Sequence, residues 1–323
     1  MNAADVSVVV PAYNYGRFLA RCLDAALAQD PPAGEILVVD DGSTDDTPGV
    51  ARRYAGRVGY LRQPNGGLPR ARNAGARAAR GAAFVFCDAD DRLCPGAVGA
   101  LAAAASAGRP AIVYGRAQEV FEDGGRGAVK GTAAAAGDPP GPARASFWKS
   151  IVATSGAALV PRSVFDDVGG YAEPGPAVED REFWIKAGLL HPFVFLDRVV
   201  LEKLAHRGSA LARRGFNIYW AMVMQFRVLD WCAARGLDAG TLGATPAGIV
   251  DNAVRYLWIE GYWSHLPRAL REARRRGVRH AGLWRPLVRE AVPAWAGQAL
   301  ARAGRARASL RGAGAPAAGG EGR

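Results

Sequence analysis

Residues 83–91 decide the fold and read Ala83-Phe84-Val85-Phe86-Cys87-Asp88-Ala89-Asp90-Asp91. An apolar run of this length is typical of a strand that is buried on both faces of a parallel sheet. The run stops abruptly at three carboxylates, which need a partner because an unpaired buried charge is costly. A hard divalent cation that also binds phosphate oxygens would be such a partner.

Two earlier segments repeat this pattern of an apolar strand followed by polar residues. Val6–Pro11 is a mostly β-branched run that leads into Ala12-Tyr13-Asn14, and Glu35–Asp40 leads into Asp41-Gly42-Ser43. Helical patterns separate the strands, and repeated strand–helix units indicate an α/β fold with a doubly wound, mostly parallel sheet. Ligands bind beyond the carboxyl ends of such strands. We therefore expect the three loops to meet at one crevice.

A fourth segment, residues 65–75, is a glycine-containing loop that leads into a helix with two arginines, Arg70 and Arg72. This arrangement suits a diphosphate or the carbonyl edge of a pyrimidine. A carboxylate at Asp40 or Asp41 suits a base N–H or a ribose hydroxyl. Each piece alone has a plainer interpretation, namely a solvated turn, an Asx turn or helix cap, and a solvated helix face.

The rest of the sequence predicts a long loop, then further strands and a helix, and finally a helical C-terminal part. Residues 116–145 are rich in Gly, Ala and Pro and indicate a long loop or flap. A strand at 157–160, a helix at Glu179–Leu190 and closing strands at Phe193–Asp197 and Val199–Leu204 are expected next. Helical patterns follow residue 215. We predict a catalytic domain at 1–214, a helical, basic C-terminal extension at 215–311 and a disordered tail at 312–323.

The net charge of +11 is concentrated near the C-terminus. From Ser264 onward thirteen arginines face three acids, which gives 13 − 3 = +10. The basicity therefore does not belong to the α/β part, and no nucleic-acid partner is expected. Six of the eight tryptophans lie after Gly215. Two interpretations stay open: a helical lid with a solvated basic face, or peripheral binding of residues 266–311 to an anionic membrane.

Four cysteines without a CxxC pair predict reduced thiols in a cytoplasmic protein. The strand pattern begins at Val6, which predicts no signal peptide, and no apolar stretch approaches the ~18 residues of a membrane span. We expect a cytoplasmic protein, peripheral at most on the inner face of a membrane.

Taken together, residues 6–14, 36–45, 65–75 and 86–91 resemble the family 2 glycosyltransferases, which have the GT-A fold. The resemblance covers about the first two hundred residues. It implies inverting transfer of a single sugar from a nucleotide-diphosphate sugar, with UDP-sugar expected, to the hydroxyl of a glycan or lipid-linked acceptor in cell-surface polysaccharide or glycolipid biosynthesis. The chain has no QxxRW segment, which favours single transfer over polymer extrusion.

The resemblance also implies roles for individual residues. Pro11, Ala12, Tyr13 and Asn14 would line the nucleotide pocket. Asp41 would read the base, with Asp40 as its neighbour, and Arg72 would reach the base or the phosphates. Asp88, with Ala89, would face the ribose and donor sugar. Asp90, with Asp88, would hold Mg²⁺ or Mn²⁺ against the diphosphate.

The second half resembles the acceptor side of the same family. Gly169-Gly170-Tyr171 looks like its Gly-Gly-aromatic turn, and Glu179-Asp180 looks like its Glu-Asp helix start. Asp180 would be the general base, whereas the plainer interpretation is two acids that favour a helix N-terminus. Glu179 and Trp184 are placed with the acceptor, although Trp184 equally suits the core. His206 is placed with the metal, or on a surface loop.

Two other classes of function are alternatives for a chain of this fold class. A dinucleotide-dependent oxidoreductase needs a GxGxxG turn after the first strand, and residues 11–16 lack it. A non-catalytic module that binds sugar nucleotides or nucleic acid would use the same fold and the basic tail. The complete set of Asp41, Asp88, Asp90 and Asp180 argues against that alternative.

Overall fold

The computed structural model describes residues 1–105, 108–148, 152, 154–173, 178–206 and 214–278. The strands, in chain order, are β1 Val6–Ala12, β2 Glu35–Asp40, β3 Gly59–Arg62, β4 Ala83–Phe86, β5 Arg92–Leu93, β6 Ile112–Phe121, β7 Arg126–Lys130, β8 Ala158–Pro161 and β9 Phe193–Ala205. The helices are α1 Gly16–Leu27, α2 Thr47–Arg52, α3 Leu68–Ala78, α4 Ala97–Ala104, α5 Gly141–Trp148, α6 Arg162–Val168, α7 Glu179–Leu190, α8 Arg214–Ala234, α9 Pro246–Ile259 and α10 Leu266–Arg275.

The described strands form one sheet in the order β3-β2-β1-β4-β8-β6-β9-β5, and β7 pairs with β6 at a branch. The pairings β3–β2, β2–β1, β1–β4 and β6–β9 are parallel, whereas β4–β8, β8–β6, β9–β5 and β6–β7 are antiparallel. Most of the paired residues lie in parallel ladders, so the predicted α/β class with a mostly parallel sheet is confirmed.

Alternate side chains of β1 enter two cores on opposite faces of the sheet. Val8 and Val10 pack in a cluster with residues of α1 and α4. Val9 packs in a second cluster with residues of α3, α6 and α7. Every residue of β1 is buried, as expected of a central parallel strand.

Gly75 explains how closely α3 approaches the sheet. A Cβ atom at this position would lie 2.3 Å from Cγ1 of Val9 and 3.0 Å from Cγ2 of Val39. Only a residue without a side chain therefore lets α3 lie against both β1 and β2. This packing fixes the start of α3 near the carboxyl ends of those strands.

The prediction of a long loop or flap at residues 116–145 is wrong. This segment contains the end of β6, the whole of β7 and the start of α5. The Gly/Ala/Pro-rich composition favoured a loop, but β6 continues because it pairs in parallel with β9 from Ile112 to Phe121. The two closing strands predicted after Pro192 are a single strand, β9.

The described residues form two compact units. One comes from Met1–Ala212 with Val228–Gly243, and the other from Arg213–Arg227 with the chain after Ala244. In the second unit, the guanidinium of Arg268 lies 4.5 Å from the ring centroid of Tyr219. The domain bounds at residues 214 and 311 stay a prediction, and the disordered tail at 312–323 lies outside the described residues.

Candidate active site

The carboxyl ends of β1, β2 and β4 carry the residues that the sequence singles out, as the parallel pairing requires. Ala12 is in register with Asp40 across β1 and β2, and Val9 is in register with Phe86 across β1 and β4. The loops after these strands therefore leave the sheet at the same edge, where a crevice was predicted.

Asn14 holds the loops after β1 and β2 together. Its Oδ1 atom accepts hydrogen bonds from the backbone N–H groups of Thr44, at 2.7 Å, and of Asp45, at 3.2 Å. Asn14 has a φ of +59°, a left-handed conformation that Asn tolerates better than most residues. Tyr13 beside it is exposed. Asn14 thus fixes the two loops beside which the nucleotide pocket is predicted, and the contact of Tyr13 with a nucleotide stays a prediction.

Both carboxylates of the Asp40-Asp41 pair are buried and have partners within the chain. Asp40 accepts from the backbone N–H of Ser43 at 2.8 Å and from the hydroxyl of Tyr60 at 2.6 Å. Asp41 accepts from the backbone N–H groups of Gly66, at 2.9 Å, and Gly67, at 2.7 Å. Asp41 therefore fixes the glycine loop before α3, and its predicted contact with a base stays a prediction.

Arg72 is the buried centre of the site. Its Nη2 atom lies 2.7 Å from Oδ1 of Asp88, and its Nη1 atom lies 3.0 Å from Oε1 of Glu179. Burial alone would lower the pKa of Arg72, but the carboxylates of Asp88, Glu179 and Asp180 raise it. The guanidinium is therefore permanently charged and joins the end of β4 to the start of α7.

The three acids after β4 have different surroundings. Burial raises the pKa of Asp88, but Arg72 and Lys203 outweigh it, so the net pKa is lowered. Burial and the charge of Asp88 raise the pKa of Asp90. Burial also raises the pKa of Asp91, whose Oδ1 atom accepts from the backbone N–H of Leu204 at 3.1 Å. Like charges this close make it costly to ionise all three together.

Lys203 of β9 is the counter-cation that the sequence analysis missed. Its Nζ atom lies 4.0 Å from Oδ2 of Asp91 and 3.5 Å from Oγ1 of Thr154. Burial lowers the pKa of Lys203, but Asp91, Asp88, Asp90 and Asp180 together raise it. A lysine inside an apolar strand was the signal that could have found it.

Asp180 lies in the first turn of α7 and is half-buried. Its Oδ1 atom accepts from the backbone N–H of Arg181 at 2.7 Å. The charge of Asp180 raises the pKa of Lys203 and the pKa of Arg72, and the charge of Asp88 raises both pKa values as well. Acids from β4 and from α7, some ninety residues apart in the chain, therefore border one cluster of charges.

His206 lies beside Asp90 rather than on an open surface loop. Its Nε2 atom is 3.0 Å from Oδ2 of Asp90. Its ring is buried against Phe18, with 5.0 Å between the centroids, and Tyr15, at 6.2 Å. Burial and the three acids after β4 raise the pKa of Tyr15 to about 12, so its hydroxyl stays neutral.

The residues around Asp90 can be tested against the metal that the resemblance implies. Asp90 and His206 offer one carboxylate oxygen and one imidazole nitrogen at adjacent positions. Within the described ranges, no group of three or more His, Cys, Asp or Glu side chains is arranged to hold a metal ion. Mg²⁺ usually takes one or two protein carboxylates and completes its coordination with phosphates and water. The donor set fits a cation shared with a bound diphosphate, and not a cage made of protein alone.

Trp184 corrects one expectation. Its indole is only 1% exposed and packs edge-on against Phe183 and Phe193. No face of the ring is open for a sugar to stack on, so Trp184 belongs to the core, the alternative that the sequence left open. Glu179 is occupied as well, because its Oε1 atom accepts from Arg72.

Two further observations bear on the sequence predictions. All four cysteines are free thiols, and the Sγ atoms of Cys22 and Cys87 lie 3.8 Å apart in the core. Within the described part of the chain, no helix has both the length and the apolar character needed to cross a bilayer. Most of the segment 266–311, for which membrane binding was considered, lies outside the described residues.

The family of the chain follows from a comparison with known sequences. The sequence model described as Glycosyl transferase family 2 matches residues 7–169, half of the chain. This chain belongs to glycosyl transferase family 2, as the resemblance implied.

Two curated relatives match this chain over fewer than one hundred residues. EpsJ of Bacillus subtilis (strain 168), an uncharacterized glycosyltransferase, is 43% identical over 89 residues, which are 27% of this chain and 26% of EpsJ. Chondroitin synthase of Pasteurella multocida (strain Pm70) is 41% identical over 96 residues, which are 29% of this chain and 10% of the synthase. The matched stretch spans about a quarter of the first relative and a tenth of the second.

Solved structures share the fold over a longer range. TarS 1–349 of S. aureus in complex with UDP has a TM-score of 0.56 and 17% identity, and the alignment covers 97% of this chain and 92% of TarS. The mannosyltransferase PcManGT of Pyrobaculum calidifontis in complex with GDP-Man and Mn²⁺ has a TM-score of 0.52 and 20% identity, with 95% and 84% covered. The predicted GT-A fold with a helical C-terminal region is confirmed.

Proposed function

We propose that this chain transfers a single sugar from a nucleoside-diphosphate sugar to an acceptor hydroxyl with inversion at the anomeric carbon. The observation that carries the proposal is the charge cluster around Arg72, whose Nη2 atom lies 2.7 Å from Oδ1 of Asp88 and whose Nη1 atom lies 3.0 Å from Oε1 of Glu179, the residue before Asp180. An inverting transfer needs a base on one side of the sugar and charge stabilisation of the leaving group on the other. The cluster offers acids from both halves of the domain for these two tasks.

In this proposal the donor lies along the carboxyl ends of β1, β2 and β4. Asp40, Asp41 and Asn14 hold the loops that border the nucleotide, and the exposed ring of Tyr13 covers it. Asp88 and Ala89 face the ribose and the donor sugar. UDP is the nucleotide we propose, and the UDP bound in the TarS structure supports this choice at the level of the fold.

Asp180 is the proposed general base, and it accepts the proton of the acceptor hydroxyl as the oxygen attacks the anomeric carbon. Asp90 and His206 would hold a divalent cation, Mg²⁺ or Mn²⁺, together with the diphosphate. When bound, such a cation stabilises negative charge on the departing diphosphate. Lys203 adds a fixed positive charge on the same side of the cluster.

A glycan or lipid-linked acceptor is part of the proposal, with a role in the cell envelope. Peripheral contact of residues 266–311 with an anionic membrane also belongs to it. In the described part, Arg268 of α10 packs over Tyr219 and Arg276 pairs with Glu272 at 2.9 Å. These two arginines therefore have internal partners, and membrane contact would depend on the other basic residues of the segment.

The test is a panel of nucleotide sugars with the full-length protein, read by thermal shift and by release of nucleoside diphosphate. UDP-sugars with Mn²⁺ should raise the unfolding midpoint, since a ligand that binds only the folded state stabilises it. Asp90→Ala should weaken both the shift and the release. If no sugar nucleotide shifts the midpoint with or without Mn²⁺, the proposed function is refuted. Equal shifts with Mn²⁺ and with EDTA would refute only the proposed role of the divalent cation.

A further inference from the structure

The geometry points to Arg72 as a positioning residue: we propose that it sets the distance between the acids that follow β4 and the start of α7 where Asp180 lies. This inference rests on the proposed function. It differs from the sequence expectation that Arg72 binds the base or the phosphates.

Both terminal nitrogens of Arg72 have carboxylate partners within the chain. Nη2 is directed at Asp88 and Nη1 at Glu179, at 2.7 and 3.0 Å. The side chain is 3% exposed, and its Cζ atom lies 5.1 Å from the ring centroid of Tyr171. A planar fork with two carboxylates and an aromatic neighbour has little surface left for a nucleotide.

The start of α7, which Arg72 contacts through Glu179, follows a residue with an unusual backbone conformation. Val178, which precedes Glu179, has a φ of +60°. A β-branched residue rarely adopts this left-handed conformation, which persists only where surrounding contacts hold it. The contact of Glu179 with Arg72 is such a restraint. Arg181 supplies another, because its Nε atom donates to the carbonyl of Ser146 at 3.0 Å.

Asp180 lies between these two restraints in the chain. Its neighbours Glu179 and Arg181 are tied to α3 and α5, whereas its own Oδ1 atom accepts only from the N–H of Arg181 among the described residues. Loss of the Arg72 contact would release one side of this turn. A displacement of about 1 Å at a reacting group can cost about 10²-fold in rate.

The experiment uses the full-length protein and the variants Arg72→Lys, Arg72→Met, Glu179→Gln and the double variant Arg72→Lys/Glu179→Gln. Arg77→Lys is the matched control, because Arg77 lies on the same helix and is exposed. The measurements are kcat and KM for the donor, affinity for UDP by calorimetry, and the unfolding midpoint. Lysine keeps the charge of Arg72 but cannot bridge two carboxylates in the same way.

We expect Arg72→Lys to lower kcat about 10- to 100-fold, while UDP affinity changes less than about threefold. Arg72→Met should also lower the unfolding midpoint. Arg72→Lys keeps the positive charge, so its midpoint should lie close to that of the wild-type protein. The double variant should be no worse than the poorer single variant, since both changes break one contact. A large loss of UDP affinity with kcat retained, or two additive losses in kcat, would overturn the proposal.

A readout that needs no activity separates this inference from the proposed function. The N–H of Glu182 donates to the carbonyl of Val178 at 3.1 Å, which makes it the first amide of α7 that is bonded to a backbone carbonyl. Hydrogen exchange at residues 182–186 should be faster in Glu179→Gln and Arg72→Met than in Arg77→Lys. Unchanged exchange would overturn the positioning role even if sugar transfer is found; faster exchange would support it even if no donor is turned over.

Discussion

The side chain of Asn73 pairs with the backbone of Tyr171 through two hydrogen bonds. Its Nδ2 atom donates to the Tyr171 carbonyl at 2.8 Å, and its Oδ1 atom accepts from the Tyr171 N–H at 2.9 Å. Next to it, Gly170 has a φ of +74°, and a Cβ atom there would lie 2.8 Å from Oδ1 of Asn73. The Gly-Gly-aromatic turn of the second half is thereby fixed to the helix that carries Arg72.

The first prediction concerns the proposed base. Asp180→Asn keeps the size of the side chain but removes its ability to accept a proton. Loss of a general base costs about 10²- to 10⁴-fold in rate, so transfer should fall by that amount while UDP affinity stays within about threefold. Steady-state kinetics and calorimetry measure the two effects. Asp166→Asn, at an exposed position of α6, is the control. A loss of UDP affinity in Asp180→Asn would argue against the assignment.

The second prediction concerns Lys203 and Asp91. Lys203→Met leaves the buried Asp91 without its counter-charge and should lower the free energy of unfolding by about 2 kcal/mol, less than the ~3–5 kcal/mol of a fully buried pair because Lys203 is partly exposed.

The matched test is the double variant Asp91→Asn/Lys203→Met, which removes both charges. It should be more stable than Lys203→Met alone, and urea denaturation measures the difference. Equal stability of the two variants would mean that the charges are not coupled.

The third prediction concerns Gly75. A methyl group in Gly75→Ala would meet Val9 at 2.3 Å, so α3 or β1 must shift. Overpacking of this kind costs about 1–3 kcal/mol, and thermal unfolding should show it. Gly141→Ala is the control, because a Cβ atom there meets nothing within 4 Å. An unchanged midpoint in Gly75→Ala would show that the helix can move outward without cost.

The fourth prediction is a dependence of stability on pH through His191. Burial and the positive charge of Arg109 outweigh Asp167 and lower the pKa of His191 below its ordinary value of 6.5. A group with a depressed folded-state pKa binds more protons when unfolded, so its stabilising effect is present above pH 6.5 and is lost as the pH falls below it. The wild-type protein should therefore lose stability below pH 6.5 more steeply than His191→Gln. Parallel curves of unfolding free energy between pH 5 and 8 would contradict this.

Much of the fold could be predicted because local pattern and tertiary environment agree there. The predicted bounds of β2 and α7 match the structure, since a β-branched run suits a doubly buried strand and two acids suit a helix start. The strand residues within 116–145 were missed because pairing between β6 and β9, distant in sequence, overrides a composition that favours a loop.

The sequence predicted which acids lie at this edge of the sheet, but it did not predict the contacts that these acids make. The strand ends placed Asp41, Asp88 and Asp90 at one edge, which parallel pairing ensures. The sequence does not record that Arg72 joins Asp88 to Glu179, because these partners lie 16 and 107 residues away. The role of Trp184 could not be decided either, because a tryptophan suits both a core and a sugar platform.

The long strand β9 has a consequence for synthesis on the ribosome. Lys203 and His206 reach Asp91 and Asp90 across more than a hundred residues of chain. While the polypeptide is still growing, the acids that follow β4 exist without these two partners, and the mutual repulsion of the acids opposes the closed loop. The final arrangement of charges can therefore form only after translation has passed His206. The strands β1 to β4, which pair with one another, are synthesised much earlier.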